Sequence, residues 1–282
     1  MRCNLKGKIY SINSGKYYIN DQENKIHILP AAGVFRHKEI KPLVGDIVEF
    51  DKGQYIKEIY PRKNSFIRPK VANIDNIVVV MSIEKPSFQS YIVDKYLAFI
   101  ESKNIKPIIV LTKSDLGSTP YYELYKNMGY EIYQINYKTD EWVKIFAKIF
   151  DHKTCSLMGQ SGVGKTTLIN KLTNNNFETN EISKNANRGR HTTRIVQIIP
   201  ILNGELIDTP GFSSFDLNMS KLELASSYEE FKKLGKLCKF KSCLHENEPQ
   251  DFCNIKLNVK NKIIPEFRYQ NYLKLLKEIS HD

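Results

Sequence analysis

At 282 residues, with 41% hydrophobic and 26% charged residues, the chain has the composition of a soluble globular protein of about two domains with room for a small third. No apolar run approaches the ~20 residues of a membrane span, and Met1-Arg-Cys-Asn-Leu-Lys lacks the apolar core of a signal peptide, so membrane and secreted classes are excluded and a cytosolic protein is expected. The net charge of +11, spread along the whole chain, suits a polyanionic partner, and five cysteines with three close together late fit a metal site better than a disulfide framework.

Residues 1–64 are rich in Tyr, Ile, Val and Lys. Lys8–Asn13 and Lys16–Asn20, joined through Asn13-Ser-Gly15, read as a β-hairpin, and further short strands fit Lys25–Leu29, Asp46–Phe50 and Gln54–Tyr60. About five short strands in this length predict a small β-barrel, with the OB-fold as leading candidate. Such barrels bind nucleic acid through aromatic and basic side chains, and Tyr10, Tyr17, Tyr18, Phe35, Arg36, His37 and Lys38 are candidates for that role.

After the polar hinge Pro61-Arg-Lys-Asn64 the pattern changes. Asn76–Met81 and Pro107–Leu111 are continuous apolar runs, as expected of strands buried on both faces. Helical periodicity covers Ser90–Ser102, Tyr121–Met128 and Glu141–Phe150, with strands at Glu131–Ile135 and Cys155–Met158. Strands alternating with helices predict a mostly parallel sheet covered by helices. The polar stretch 174–194 has no periodicity and is long for a connection, which marks it as functional. Strands follow at Arg194–Ile199 and Gly204–Ile207. Residues 217–282 then read as an amphipathic helix, Lys221–Leu237, a Cys/His cluster, and a last helix, Glu266–Ile279. The domains expected are 1–64, 65–216 and 217–282.

The chemistry is concentrated in four motifs. Gly159-Gln160-Ser161-Gly162-Val163-Gly164-Lys165-Thr166, followed by Thr167, fits the phosphate-binding loop G-x-x-x-x-G-K-[ST], between a strand and a helix as its mechanism requires. Backbone N–H groups and the helix N-terminus cradle phosphates. Lys165 is expected to reach the β- and γ-phosphates, and Thr166 to hold Mg²⁺. Asp208-Thr-Pro-Gly211, at a strand end about 40 residues on, supplies an acid for Mg²⁺ and, at Gly211, an N–H for the γ-phosphate.

Thr112-Lys113-Ser114-Asp115 resembles the guanine-specificity motif [NT]-K-x-D of GTPases. Its carboxylate can accept from guanine N1–H and the N2 amine together, donors that adenine lacks, and the Lys113 stem can pack over the base. The base motif precedes the phosphate loop, the reverse of the common order, so the chain reads as a circularly permuted GTPase. By the same logic Asn136-Tyr137 stands where the usual order has a Ser-Ala behind the base. Cys238-x4-Cys243-x-His245-x7-Cys253 offers three thiolates and an imidazole to one tetrahedral Zn²⁺ per chain. Lys232, Lys233, Lys236, Lys239 and Lys241 surround it with no acid between them.

The barrel, these motifs in this order, Gly189-Arg-His-Thr-Thr193, and Phe212 after Gly211 together resemble the RsgA family of small-ribosomal-subunit-dependent GTPases along nearly the whole chain. The resemblance implies an OB-fold, a permuted P-loop GTPase domain and a zinc-binding tail. It also implies late maturation of the small subunit, contact with its rRNA, and GTP hydrolysis to GDP stimulated by that subunit. His191 is the residue to which it points for orienting the attacking water, since Phe212 occupies the place of the usual Gln and cannot hydrogen-bond water. Thr192 or Thr193 is expected to complete the Mg²⁺ shell. The family spaces its last two zinc ligands by five residues where this chain has seven. A monomer is expected. The alternative of another class is a GTP-gated RNA-binding or signalling module whose hydrolysis is incidental.

Overall fold

A computed structural model of the chain describes residues 4–33, 35, 40–67, 69–174, 196–208 and 217–279. The chain forms two compact units, each drawn from three stretches: Met1–Asn76, Asp140–Leu157 and Lys165–Ser213 in the first, Ile77–Thr139, Met158–Gly164 and Ser214–Asp282 in the second. Among the described residues no helix is long and apolar enough to cross a membrane.

The first unit opens with strands β1 (Asn4–Asn13) and β2 (Lys16–Asp21), an antiparallel hairpin whose turn residues Ser14 and Gly15 both have positive φ, 49° and 75°, as a two-residue turn matched to strand twist requires. β3 (Ile26–Leu29) pairs with β2, and β4 (Ile47–Asp51) pairs with β1 and with β5 (Ile56–Ile59). A bridge between Ala31 and Ile56 joins the two ends, so five strands close the expected barrel around Ile9, Ile19, Val48, Phe50 and Ile56, all fully buried. Gly7 lets β1 approach β2, because a Cβ there would lie 2.6 Å from the Asn20 carbonyl oxygen. A short ladder, β6 (Ser65–Phe66) with β7 (Val71–Ala72), follows the barrel.

β1 has a second partner. Ser11 stands opposite Gln197 on β12 (Gln197–Ile201), and Gln197 in turn stands opposite Asp208 on β13 (Gly204–Asp208). β13 runs parallel to β11 (Thr154–Met158), the strand that feeds the phosphate loop. Side chains reinforce this join: Lys8 Nζ donates to Thr154 Oγ1 at 2.6 Å and pairs with Glu205, which also accepts from Tyr10 at 2.6 Å. Burial alone would raise the Glu205 carboxyl, but Lys8 and these hydrogen bonds outweigh it and hold it below its usual range. Helix α3 (Glu141–Phe150) packs Trp142, Phe146, Ile149 and Phe150 inward, and α4 (Lys165–Asn174) starts where the phosphate loop ends.

The second unit contains β8 (Asn76–Ser82), β9 (Lys106–Thr112) and β10 (Glu131–Gln134) side by side, with β9 and β10 parallel and β8 buried throughout. Helices α1 (Ser90–Ser102) and α2 (Tyr121–Asn127) connect them. The C-terminal stretch folds as α5 (Lys221–Ala225), α6 (Glu229–Leu234), α7 (Asn254–Lys260) and α8 (Glu266–Glu278).

The single helix expected over Lys221–Leu237 is therefore broken. Ser226 Oγ donates to the Leu222 carbonyl at 3.1 Å and Ser227 Oγ to that of Leu224 at 2.9 Å, which satisfies the end of α5. Tyr228 turns extended and inward to donate to the Asp94 carbonyl at 3.1 Å.

Arg268 of α8 is fully buried at the centre of this unit. Its NH1 lies 2.5 Å from Asp94 Oδ1 of α1 and its Nε 3.0 Å from Glu230 Oε1 of α6. Tyr125 of α2 and Asn271 of α8 also donate to Asp94, at 2.6 and 2.7 Å. Burial disfavours the charged guanidinium, and Asp94 beside it more than offsets that penalty. One ion pair thus fastens the C-terminal helices to the helices beside β9.

Candidate functional site

β9 ends in the base motif. Thr112 is fully buried, and its hydroxyl donates to the Val163 carbonyl at 2.6 Å, with the Met81 carbonyl farther off at 3.3 Å. A hydroxyl has one proton, so the shorter bond takes it. This ties the base motif to the phosphate loop. Lys113 adopts a left-handed backbone, φ 59°, which throws its side chain across the loop, where Nζ donates to the Gly162 carbonyl at 3.0 Å and to that of Lys85. The Ser114 N–H donates to the Ile135 carbonyl at 3.3 Å, which fixes the turn against the end of β10.

Asp115 follows with its carboxylate 2.7 Å from Lys138 Nζ, and that hydrogen bond holds the carboxyl below its usual range. An ionised acid at this position is what guanine N1–H and N2–H require. Sequence reasoning did not find Lys138, although it stands directly after the Asn136-Tyr137 pair. In sequence, Tyr137 is marked only by analogy with the usual motif order. Its hydroxyl donates to the Gly164 carbonyl at 3.4 Å, so it rests on the phosphate loop.

The loop needs its glycines. A Cβ on Gly159, at φ 156°, would lie 2.2 Å from the Val80 carbonyl oxygen, and Gly164, at φ 101°, holds a backbone conformation that residues with a side chain rarely adopt. The resulting cradle of backbone N–H groups fits phosphate chemistry. Lys165 begins α4, and partial burial lowers its ammonium pKa, a cost that a bound polyphosphate would offset. Gln160, Ser161, Thr166 and Thr167 line the same loop and first turn, with Thr166 exposed. Asp208 is the last residue of β13. Of the residues expected to hold Mg²⁺, Thr166 and Asp208 are among the described ones. The calls at Arg36, His37, Lys38, His191, Thr192, Thr193, Gly211 and Phe212 lie outside the described residues.

The C-terminal cluster converges as the spacing predicts. The ligand atoms of Cys238, Cys243, His245 and Cys253 all lie within 4.8 Å of one another. His245 Nδ1 is 3.7, 3.2 and 3.4 Å from the sulfurs of Cys238, Cys243 and Cys253. A zinc tetrahedron with Zn–S near 2.3 Å and Zn–N near 2.0 Å has S···N edges of about 3.5 Å, so the donor set fits the ion. His245 Nε2 faces the Ala225 carbonyl at 3.3 Å, which leaves Nδ1 as the ligating nitrogen, and burial keeps the ring neutral. Burial also raises the thiols of Cys243 and Cys253, a penalty that a cation among them removes.

The longer seven-residue interval closes because Glu248 accepts from the Leu244 and Glu246 N–H groups at 2.7 and 2.9 Å, and a short 3₁₀ turn at Gln250–Phe252 delivers Cys253. Tyr269 Oη donates to the His245 carbonyl at 2.7 Å, tying the cluster to α8. Glu248 and Tyr269 gave no sequence signal, since each acts on backbone rather than on the ligand pattern.

Comparison with known proteins follows this geometry. The family model described as RsgA GTPase matches residues 59–218, and that of the RsgA N-terminal domain matches residues 6–55. A relative from Mycoplasmopsis agalactiae, named small ribosomal subunit biogenesis GTPase RsgA, is 64% identical over 279 residues, covering 99% of both chains. A relative of the same name from Mycoplasmopsis pulmonis is 45% identical, covering 97% of this chain and 99% of its own. The crystal structure of YloQ, described as a circularly permuted GTPase, superposes with a TM-score of 0.82 at 32% identity, covering 99% of this chain and 96% of that one. The structure of YjeQ from Thermotoga maritima gives a TM-score of 0.82 at 28% identity, covering 99% and 100%.

Proposed function

The chain belongs to the RsgA GTPase family, and from that premise we propose that it binds the small ribosomal subunit and assists its late maturation, hydrolysing GTP to GDP and phosphate as it does so. It is a circularly permuted GTPase. The observation that carries the enzymatic reading is the hydrogen bond from Thr112 to Val163, which holds guanine-selecting and phosphate-binding elements together as one nucleotide site.

Within that site Asp115 selects guanine and the Lys113 stem covers the base. The loop from Gly159 to Gly164 cradles the phosphates, and Lys165 neutralises charge developing on the β–γ bridge. Thr166 and Asp208, with Thr192 or Thr193, would hold Mg²⁺, which would supply further charge neutralisation on the phosphates. Gly211 senses the γ-phosphate, and His191 orients the attacking water. Phe212 offers water no hydrogen bond, so turnover without the partner is slow.

We further propose three functional modules, 1–64, 65–216 and 217–282. The first is an RNA-binding OB-fold and the last a zinc-stapled element whose lysines meet rRNA phosphates. The net charge of +11 supports that reading. The protein works as a monomer in the cytoplasm. Co-sedimentation with purified small subunits tests the partner: binding in a non-hydrolysable GTP analogue and release in GDP is the expected result. Equal retention in both nucleotides would favour an RNA-binding module with incidental hydrolysis.

A further inference from the structure

Two phenylalanines flank the zinc ligands and face solvent. Phe240 stands two residues after Cys238 and is 44% exposed, while Phe252 immediately precedes Cys253 and is 37% exposed. Their rings meet nearly perpendicular, 82°, with centroids 6.0 Å apart, so they form an apolar corner. The corner is rigid: the Lys239 N–H donates to the Phe252 carbonyl at 2.9 Å, and both arms are anchored at zinc ligands. Lys239 Nζ lies 3.8 Å from the centre of the Phe252 ring, and Lys241 stands exposed beside it. Leu237, on the other side of Cys238, is 73% exposed.

A folded protein gains nothing by holding two phenyl rings in water at the tip of a metal-stapled loop. Exposed rings beside the cations Lys239 and Lys241, with Asp251 before Phe252 as the one adjoining acid in sequence, describe a surface for an anionic, planar ligand. Duplex RNA hides its base faces, whereas an unstacked base offers one to a ring while its phosphates reach the cations.

We propose that Phe240 and Phe252 form a stacking corner for an unpaired RNA base, with Lys239 and Lys241 holding the adjoining phosphates. This rests on the reading that the zinc module meets RNA, and it specifies a single-stranded nucleotide as the feature recognised.

The test compares full-length, zinc-loaded protein with Phe240→Ala/Phe252→Ala and with Lys239→Ala/Lys241→Ala, after checking that each variant keeps one zinc per chain and its basal GTP turnover. Affinity is measured for small subunits and for short single-stranded and duplex RNA oligonucleotides across a range of salt. The aromatic variant is expected to lose roughly 5- to 100-fold in affinity for subunits and single strands with an unchanged salt slope. The lysine variant is expected to flatten that slope by about two, and Phe240→Trp to retain binding.

Wild-type affinity in the aromatic variant, with the lysine variant impaired, would overturn the stacking corner and leave the RNA reading in place. Wild-type affinity in both would overturn the RNA reading of this module as well. Loss of subunit binding with no change toward any oligonucleotide would assign the corner to a ribosomal protein and overturn the proposal.

Discussion

The Thr112 hydroxyl lies 2.6 Å from the Val163 carbonyl oxygen, a single buried hydrogen bond between the stretch proposed to read the base and the loop proposed to hold the phosphates. Val163 is itself fully buried, so no water replaces a lost donor. Thr112→Val is therefore expected to cost about 1–3 kcal/mol, weakening GTP and GDP alike by roughly 5- to 150-fold, as measured by equilibrium titration of a fluorescent guanine nucleotide. Unchanged affinity would mean that the two elements are aligned by the sheet alone.

Asp115 and Lys138, 2.7 Å apart, give a prediction in base and in pH. Asp115→Asn turns an acceptor pair into a mixed amide, and GTP affinity is expected to fall on the order of 10³-fold while xanthosine triphosphate gains. The carboxyl is held below its usual range by Lys138, so guanine binding persists as pH falls through that range and is lost only below it. Lys138→Ala returns the carboxyl toward its ordinary value and moves the acid limb of GDP binding upward. A limb that stays in place would show that the pair does not govern the site.

The Arg268–Asp94 pair is wholly buried. Arg268→Leu leaves Asp94 as an uncompensated charge and is expected to destabilise the protein by about 3–5 kcal/mol, whereas Arg268→Leu with Asp94→Leu recovers much of the loss. Urea unfolding of both variants measures this. A double variant no better than the single would locate the cost in the hydrogen bonds to Glu230, Tyr125 and Asn271 rather than in the charge.

Zinc analysis tests the tail. One ion per chain is expected, and Cys253→Ser or His245→Ala should abolish it and loosen residues 238–253, seen as accelerated hydrogen exchange there. Structural zinc contributes about 10–16 kcal/mol in small modules, so a chelator should reproduce the effect in wild type. Full occupancy in Cys253→Ser would show that the seven-residue interval leaves the last cysteine out.

Much of this was legible in the sequence because the signals were local. Motif spacing marks the phosphate-loop and base-motif stretches and the four Cys/His residues whose ligand atoms converge. Alternation found the barrel strands, and apolar runs found β8 and β9. The break at Ser226–Tyr228 was hidden, since Lys221–Leu237 keeps a helical apolar pattern through two serines that in fact bond back to α5. Lys138 at Asp115, Glu248 at the ligand loop and the residues around Arg268 were hidden for another reason. Each acts across a fold-dependent distance, such as Arg268 to Asp94 at 174 positions, and carries no motif. The pairing of β1 with β12, which joins the barrel to the strand carrying Asp208, is likewise a product of topology.

The most direct test is GTP turnover by the purified chain alone, with small subunits, and with large subunits. Marked stimulation by the small subunit alone is predicted, with His191→Ala removing the stimulation while guanine-nucleotide binding stays intact. Turnover that neither subunit changes would contradict the proposed function and leave a permuted nucleotide switch with another partner.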